Sequence, residues 1–244
     1  MITLYTIVFL ASLIIGIMFG LPIAYSLLLS GAATALAMGG TATNAQIVAA
    51  QLMRGTDSVT MMALPFFILV GELMNRGGLT KRIIAFCNIF VGRVRGGLGY
   101  VTILACLMFA SLVGSAVAST AALGAILIPM MVKSGYDRAK ASGLVASANL
   151  VAPIMPPSVP MIVYGVTAGV SIKALFLGGI APAAYLTVIM CIVWFFVSKK
   201  DNIISDMPKP TIKEVIRCIS EGLWALLLPL IIIAGLRGGV FTAT

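Results

Sequence analysis

Between Gly96 and Ile172 the chain runs through two charge-free apolar segments, Gly96–Val132 and Ala141–Ile172, joined by the polar linker Lys133–Lys140. Each segment is interrupted near its middle. The first carries Gly114-Ser-Ala-Val-Ala-Ser-Thr120, and the second Ala152-Pro-Ile-Met-Pro-Pro-Ser-Val-Pro160. Apolar runs of this length have to sit in lipid or in a protein core. A broken helix in lipid leaves backbone amides and carbonyls without partners. Such a break survives only where it is buried in protein or lines a wet cavity. Two breaks in succession are the pattern of a transporter site built from discontinuous helices.

Composition excludes a soluble globule. Hydrophobic residues make up 61% of the chain and charged residues 9%, against about 25% charged in an ordinary soluble domain. The fold class is therefore an all-α polytopic membrane protein, and its 25 glycines suit close helix packing in a bilayer. The net charge of +9 reflects where Lys and Arg sit and implies no nucleic-acid partner. The four cysteines are widely separated and show no metal-ligand spacing. There is no histidine, which removes the usual general base and a Ser–His nucleophile pair. An enzyme is not expected.

Met1–Met53 contains no charge, which leaves room for two spans at roughly 20 residues each. Gly20-Leu-Pro22 is the natural turn between spans over 3–19 and 23–38. No Lys or Arg precedes Arg54, so a cleaved signal peptide is not expected. Gly39–Ser58 is more polar and suits a short interfacial helix. A third span covers 61–75. Residues 79–94 alternate Ile and Phe with Lys81, Arg82 and Arg93, as in an amphipathic helix lying on the membrane surface. The interrupted segments follow, as a hairpin over 96–132 and a broken helix over 139–170. Another span, 174–198, ends at Trp194 and Lys199-Lys200. Residues 201–221 read as an aqueous loop, and 222–236 as a last apolar run that leads to Arg237-Gly-Gly and the chain end.

The distribution of Lys and Arg decides how 96–132 sits. If the segment enters and leaves on one side, the blocks Arg76–Arg95, Lys133–Lys140 and Lys199–Arg217 share that side. They hold 13 of the 16 Lys and Arg. A single crossing would scatter them. As one helix, 37 residues would be about 55 Å long, well beyond a roughly 30 Å core. The segment is read as a re-entrant hairpin opening to the cytoplasm, with its tip at Gly114–Ser119 and the N-terminus periplasmic.

At that tip Ser115, Ser119 and Thr120 supply hydroxyls, and Gly114 frees the backbone. The second break offers Pro153, Pro156, Pro157 and Ser158, whose prolines release carbonyls from helix hydrogen bonding. Uncharged oxygens of this kind suit sodium, with Ser115 and Ser119 as side-chain ligands. Helix N-termini near Thr120 and Met161 suit a carboxylate. Glu72, the acid inside an apolar run, has Arg76 four residues on and reads as half of a local ion pair.

Three stretches carry a resemblance: Ala63-Leu-Pro-Phe-Phe-Ile-Leu-Val-Gly-Glu-Leu-Met-Asn-Arg-Gly-Gly78, Gly114-Ser-Ala-Val-Ala-Ser-Thr-Ala-Ala122 and Ala152-Pro-Ile-Met-Pro-Pro-Ser-Val-Pro-Met161. In this order they resemble the large membrane subunit of tripartite ATP-independent periplasmic (TRAP) transporters, the DctM family. The resemblance implies an elevator-type carrier of the bacterial inner membrane, built from two inverted repeats and driven by sodium as coupling ion. It implies import of a small carboxylate (a dicarboxylate, keto acid or sugar acid) delivered by a periplasmic solute-binding protein of DctP type. A small membrane subunit of DctQ type would brace it. Residues 1–200 would form the first repeat, with 79–94 as the arm helix and the two breaks as its half of the ion and substrate site. Residues 222–244 would begin a second repeat that family members continue, so the chain is expected to be little more than half a subunit. The alternative is an ion-coupled carboxylate carrier of the same superfamily that works without a binding protein.

Overall fold

The computed structural model describes residues 2–39, 42–56 and 59–201, and single positions at 220, 227 and 231. The expected loop over 201–221 and the start of a second repeat over 222–244 lie outside the described residues, apart from Asp201 and those positions. The described residues are helical and contain no strand. The elements are α1 (Ile2–Met18), α2 (Ile23–Ala37), α3 (Ala42–Thr56), α4 (Val59–Arg76), α5 (Leu79–Val91), α6 (Gly97–Val113), α7 (Ala116–Lys133), α8 (Arg138–Ala148), α9 (Val159–Ala168) and α10 (Ile172–Asp201), with a 3-10 turn at Asn149–Val151. The chain divides into two compact units, residues 1–58 and 59–244.

In the first unit α1 and α2 pair across the Gly20-Leu-Pro22 turn. Gly20 takes φ +76°, and Pro22 starts α2 without losing a helical donor. The helices approach closely at Gly16, where an added Cβ would stand 2.9 Å from Ser26 Oγ. Ser26 and Ser30 are fully buried. The Ser30 hydroxyl donates to the Leu27 carbonyl at 2.9 Å, so it needs no water. The outer faces are apolar and bare, with Leu4, Ile7 and Ile14 each more than half exposed. In water such a face would be an aggregation surface; in a bilayer it is the side that meets lipid.

The second unit is organised around the α6–α7 hairpin. Leu98, Val101, Ala105, Cys106, Phe109, Leu123, Leu127 and Met131 are at most 2% exposed. They pack with Ile83, Ile84 and Cys87 of α5, Ala141 and Val145 of α8, and Trp194 of α10. The hairpin is therefore the core of its unit, wrapped by three other helices. Its base is closed by α10. The Trp194 indole Nε1–H donates to the Gly96 carbonyl at 2.9 Å, and Gly99 leaves the room its ring occupies. A Cβ on Gly99 would lie 1.9 Å from Trp194 Cε2.

Two details differ from the sequence reading. The amphipathic helix stops at Val91 rather than 94, with Gly92 as its C-cap and an αL glycine, Gly96, before the next helix. Its buried stripe is Thr80, Ile83, Ile84 and Cys87, at i, i+3, i+4 and i+7, and it packs against the hairpin. Phe86 is half-buried against the same core, and Phe90, 4.9 Å away between ring centroids, is exposed. The apolar side of α5 thus serves protein first.

The second interruption is also longer than expected. α8 is capped by Asp137, whose Oδ1 accepts from the Lys140 amide at 3.1 Å. It ends at Ala148, and helix resumes only at Val159. Pro153 lacks an N–H and its ring clashes with the carbonyl four residues earlier, so the helix gives way from Asn149 rather than from Ala152. Pro160 falls in the first turn of α9, where proline costs nothing.

Candidate functional site

The hairpin tip is tighter than the seven-residue motif suggested. α6 ends at Gly114, which takes φ +62° and donates its amide to the Ala110 carbonyl at 3.0 Å. Ser115 is extended and caps α7, its Oγ accepting from the Ala118 amide at 3.5 Å. Helix resumes at Ala116. Ser119 and Thr120 therefore lie inside α7, and the positive end of that helix is at Ala116 rather than near Thr120.

The tip is seated on the proline break. A Cβ on Gly114 would stand 2.7 Å from the Pro157 carbonyl oxygen and 2.7 Å from Ser158 Cα. Only glycine permits both the backbone angle and the approach. The break is held in shape from within: the Ser158 hydroxyl donates to the Pro153 carbonyl at 2.9 Å and accepts from the Met161 amide at 3.3 Å, capping α9. The positive end of α9 is thus at Val159 rather than near Met161. Pro156 and Pro157 are buried and joined by a cis peptide bond. From the other side α10 presents Gly179, whose added Cβ would meet the Ile154 carbonyl oxygen at 2.4 Å.

A cavity of about 780 Å³ opens beside this junction. The tip contributes Gly114, Ser115 and Val117, the break contributes Pro153, Val159 and Pro160, and α4 contributes Glu72, Asn75 and Arg76. Gly71 brings α4 within van der Waals reach of Val113. Arg76 Nε donates to Glu72 Oε1 at 2.7 Å. The expected pair is present, and it forms one wall of the cavity. Asn75 Oδ1 accepts from Thr80 Oγ1 at 2.7 Å, tying the end of α4 to α5.

Of the residues singled out by sequence, Gly114, Ser115 and Pro153 line the cavity, and Ser158 and Pro157 shape it from behind. Thr120 and Pro156 do not line it. Ser119 is fully buried and its Oγ has no hydrogen-bond partner among the described residues. Asn149 shares that condition: its Nδ2 donates to the Val145 carbonyl at 2.9 Å while Oδ1 is left without a partner. The 3-10 turn that carries Asn149 packs against α6 and α7. Sequence reasoning missed Asn149. The available signal was a carboxamide in an otherwise charge-free segment, four residues before Pro153. A third oxygen without a partner, Asn88 Oδ1, belongs to α5. Among the described residues no three acidic or Cys side chains converge, and apart from the Glu72 carboxylate in the cavity wall the oxygens around the tip and the break are neutral.

Known proteins are similar to this sequence. The model of the family described as Tripartite ATP-independent periplasmic transporter, DctM component, matches residues 10–244. The 2,3-diketo-L-gulonate TRAP transporter large permease protein YiaN of Escherichia coli is 46% identical over 97% of this chain and 55% of its own length. The C4-dicarboxylate TRAP transporter large permease protein DctM of Pseudomonas aeruginosa is 39% identical, over 90% of this chain and 51% of its own. The sialic acid TRAP transporter large permease protein SiaM of Vibrio cholerae is 37% identical, over 94% and 53%. The chain spans about half the length of these curated relatives, and all three are named as permease components rather than enzymes.

Proposed function

This chain belongs to the DctM family, the large permease component of TRAP transporters, and we propose that it forms part of a sodium-driven path importing a small organic acid across the bacterial inner membrane. The observation that carries this reading is the seating of one helix break on another, Gly114 against Pro157 and Ser158, beside an open cavity. A carrier needs a place where backbone and side-chain oxygens can replace an ion's water, and unbroken helices leave their backbone carbonyls occupied.

The roles divide by chemistry. Sodium is held by neutral oxygens around the tip and the break. Ser119 Oγ and Asn149 Oδ1 are the side-chain candidates because each is buried without a partner. Ser115 serves mainly as the cap of α7. The cargo carboxylate faces the amino ends of α7 and α9, whose free amides and dipoles favour an anion. Gly114, Pro153, Pro156, Pro157 and Ser158 fix the geometry. Each hairpin arm is about 26 Å long, so a tilted hairpin ends within a roughly 30 Å core and opens to the cytoplasm. The chain supplies the first repeat of an inverted-repeat, elevator-type carrier, with its N-terminus periplasmic. A DctP-type binding protein delivers the acid, and a DctQ-type membrane subunit braces the carrier.

Uptake by proteoliposomes containing the full-length subunit and its small membrane subunit tests the reading, with a C4-dicarboxylate, 2,3-diketo-L-gulonate and N-acetylneuraminate offered in turn. Uptake is expected only with an inward sodium gradient and the matching binding protein. Uptake that ignores sodium would overturn the coupling. Uptake without any binding protein would place the chain with carriers that work alone.

A further inference from the structure

Among the cavity-lining residues Glu72 and Arg76 are the charged ones, on a wall facing the hairpin tip. The sequence explains them as a helix-surface pair, which accounts for the 2.7 Å bond but not for the location. Gly71, one residue before the pair begins, packs against Val113 at the very end of α6. The pair therefore stands at the level of the tip. On either side the lining is Ile68, Val113, Val117 and Val159, and charges beside apolar walls act over longer range than in water.

We propose that Arg76 is the anchor for a carboxylate group of the cargo and that Glu72 is its counter-ion when the site is empty. This rests on the carrier reading above. Arg76 engages Glu72 through Nε, and a guanidinium has further donors in a planar fork that matches a carboxylate. The pair is well exposed, Arg76 more so than Glu72, so giving up one carboxylate for another costs little. Charge balance gives the arrangement its purpose. A lone arginine at a site that moves through a bilayer is expensive, whereas a paired one is neutral. The empty site can then return without cargo. In the loaded state an anion and a sodium ion enter together, so the net charge again stays low. An anionic group is selected over a neutral sugar or amide of the same size, because the neutral group leaves the helix ends and the guanidinium fork unmatched.

The test uses the full chain with Val117→Cys, in a background with Cys191 and Cys218 replaced by Ser. Val117 lines the cavity and is 82% exposed. The readout is the labelling rate by a sulfonate-bearing methanethiosulfonate relative to its trimethylammonium counterpart. Arg76→Gln is expected to lower the anion-to-cation ratio on the order of tenfold, and Glu72→Gln to raise it by a similar factor. Arg76→Lys keeps the charge and the ratio. Succinate, at constant ionic strength, slows labelling in the parent protein and in Glu72→Gln. It fails to do so in Arg76→Gln, and protects weakly in Arg76→Lys, which lacks the fork. A ratio that does not move in opposite directions in the two neutral variants, each confirmed monodisperse, overturns the proposal. So does succinate protection that survives Arg76→Gln. Labelling needs neither sodium nor uptake, so a failure of sodium-driven transport in the unmodified protein would sink the carrier reading and leave this measurement intact.

Discussion

Gly114 and Pro157 meet backbone to backbone: a Cβ on Gly114 would stand 2.7 Å from the Pro157 carbonyl oxygen. Neither atom belongs to a flexible side chain, so a substitution at Gly114 has to move the tip or the break. Gly114→Ala carries two penalties, the left-handed backbone at φ +62°, worth about 1–2 kcal/mol, and the steric one. Gly135→Ala is the control. It has φ +90° with nothing within 4 Å of an added Cβ, so it suffers the first penalty alone. Thermal unfolding in detergent should show a clearly larger drop for Gly114→Ala, with uptake lost in a full-length setting. Equal drops would mean the contact is not formed in the membrane.

The two tip serines should separate. Ser119→Ala removes a buried oxygen with no partner among the described residues. If that oxygen holds sodium, the loss costs on the order of 1–3 kcal/mol, or about tenfold or more in half-saturating sodium. Ser115→Ala weakens a cap, about 0.5–2 kcal/mol of stability, with little change in sodium dependence. Ser12→Ala, whose hydroxyl bonds the Val8 carbonyl at 2.7 Å, should be silent. Uptake measured against sodium concentration decides; an unchanged Ser119→Ala removes the hydroxyl from the ligand set.

Asn149→Leu tests the second buried oxygen. It should raise half-saturating sodium as Ser119→Ala does. Asn149→Ser keeps an oxygen at the site and should recover part of the loss. Equal behaviour of Leu and Ser would assign Asn149 to packing.

Cys87 should be inert. It is 3% exposed on α5, and burial pushes its thiol up from 9.0 to about 12. At pH 8 only about one thiol in ten thousand would be ionised. A maleimide at pH 8 should modify Cys87 after unfolding in SDS and not before. The folded form keeps its proton to higher pH than the unfolded one, so this group contributes a loss of stability as pH rises above about 9. Fast labelling of the native protein at pH 8 would contradict the packing of α5.

Orientation has a direct check. A cysteine at Ser134, between α7 and α8, should be labelled from the cytoplasm, and one at Thr43 from the periplasm, as the bias of Lys and Arg requires. Periplasmic labelling at Ser134 would turn the hairpin into a single crossing.

The helices around Gly20-Leu-Pro22 and the two interruptions were legible because glycine, proline and charge act locally and leave marks in the chain. The extents of the interruptions were less so. The tip was read as Gly114–Ser119 because small hydroxyl residues suggest unwinding, yet a serine one residue past an αL glycine is a helix cap, and the helix restarts at once. The sequence marks the second break from Ala152, one residue before its first proline, whereas a proline damages the whole turn before it. That is how Asn149 escaped notice. The depth of Glu72 and Arg76 had no signature at all, since it depends on Gly71 meeting Val113, a contact between helices 42 positions apart. Gly179 was likewise silent: its purpose is the space it leaves for the Ile154 carbonyl.

The bond from Trp194 to Gly96 spans 98 positions of sequence, and that separation becomes a delay during synthesis. At about 5–20 residues per second the indole leaves the ribosome roughly 5–20 s after the carbonyl it will bind. For the last part of that interval, from Lys133 to Trp194 or roughly 3–12 s at the same rate, the hairpin is complete as a sequence but lacks the helix that closes its base, and the slot above Gly99 stands empty. The last step in building this core is thus set by translation, and a pause or a premature stop between the two positions would release a hairpin with an open foot to the membrane's quality control.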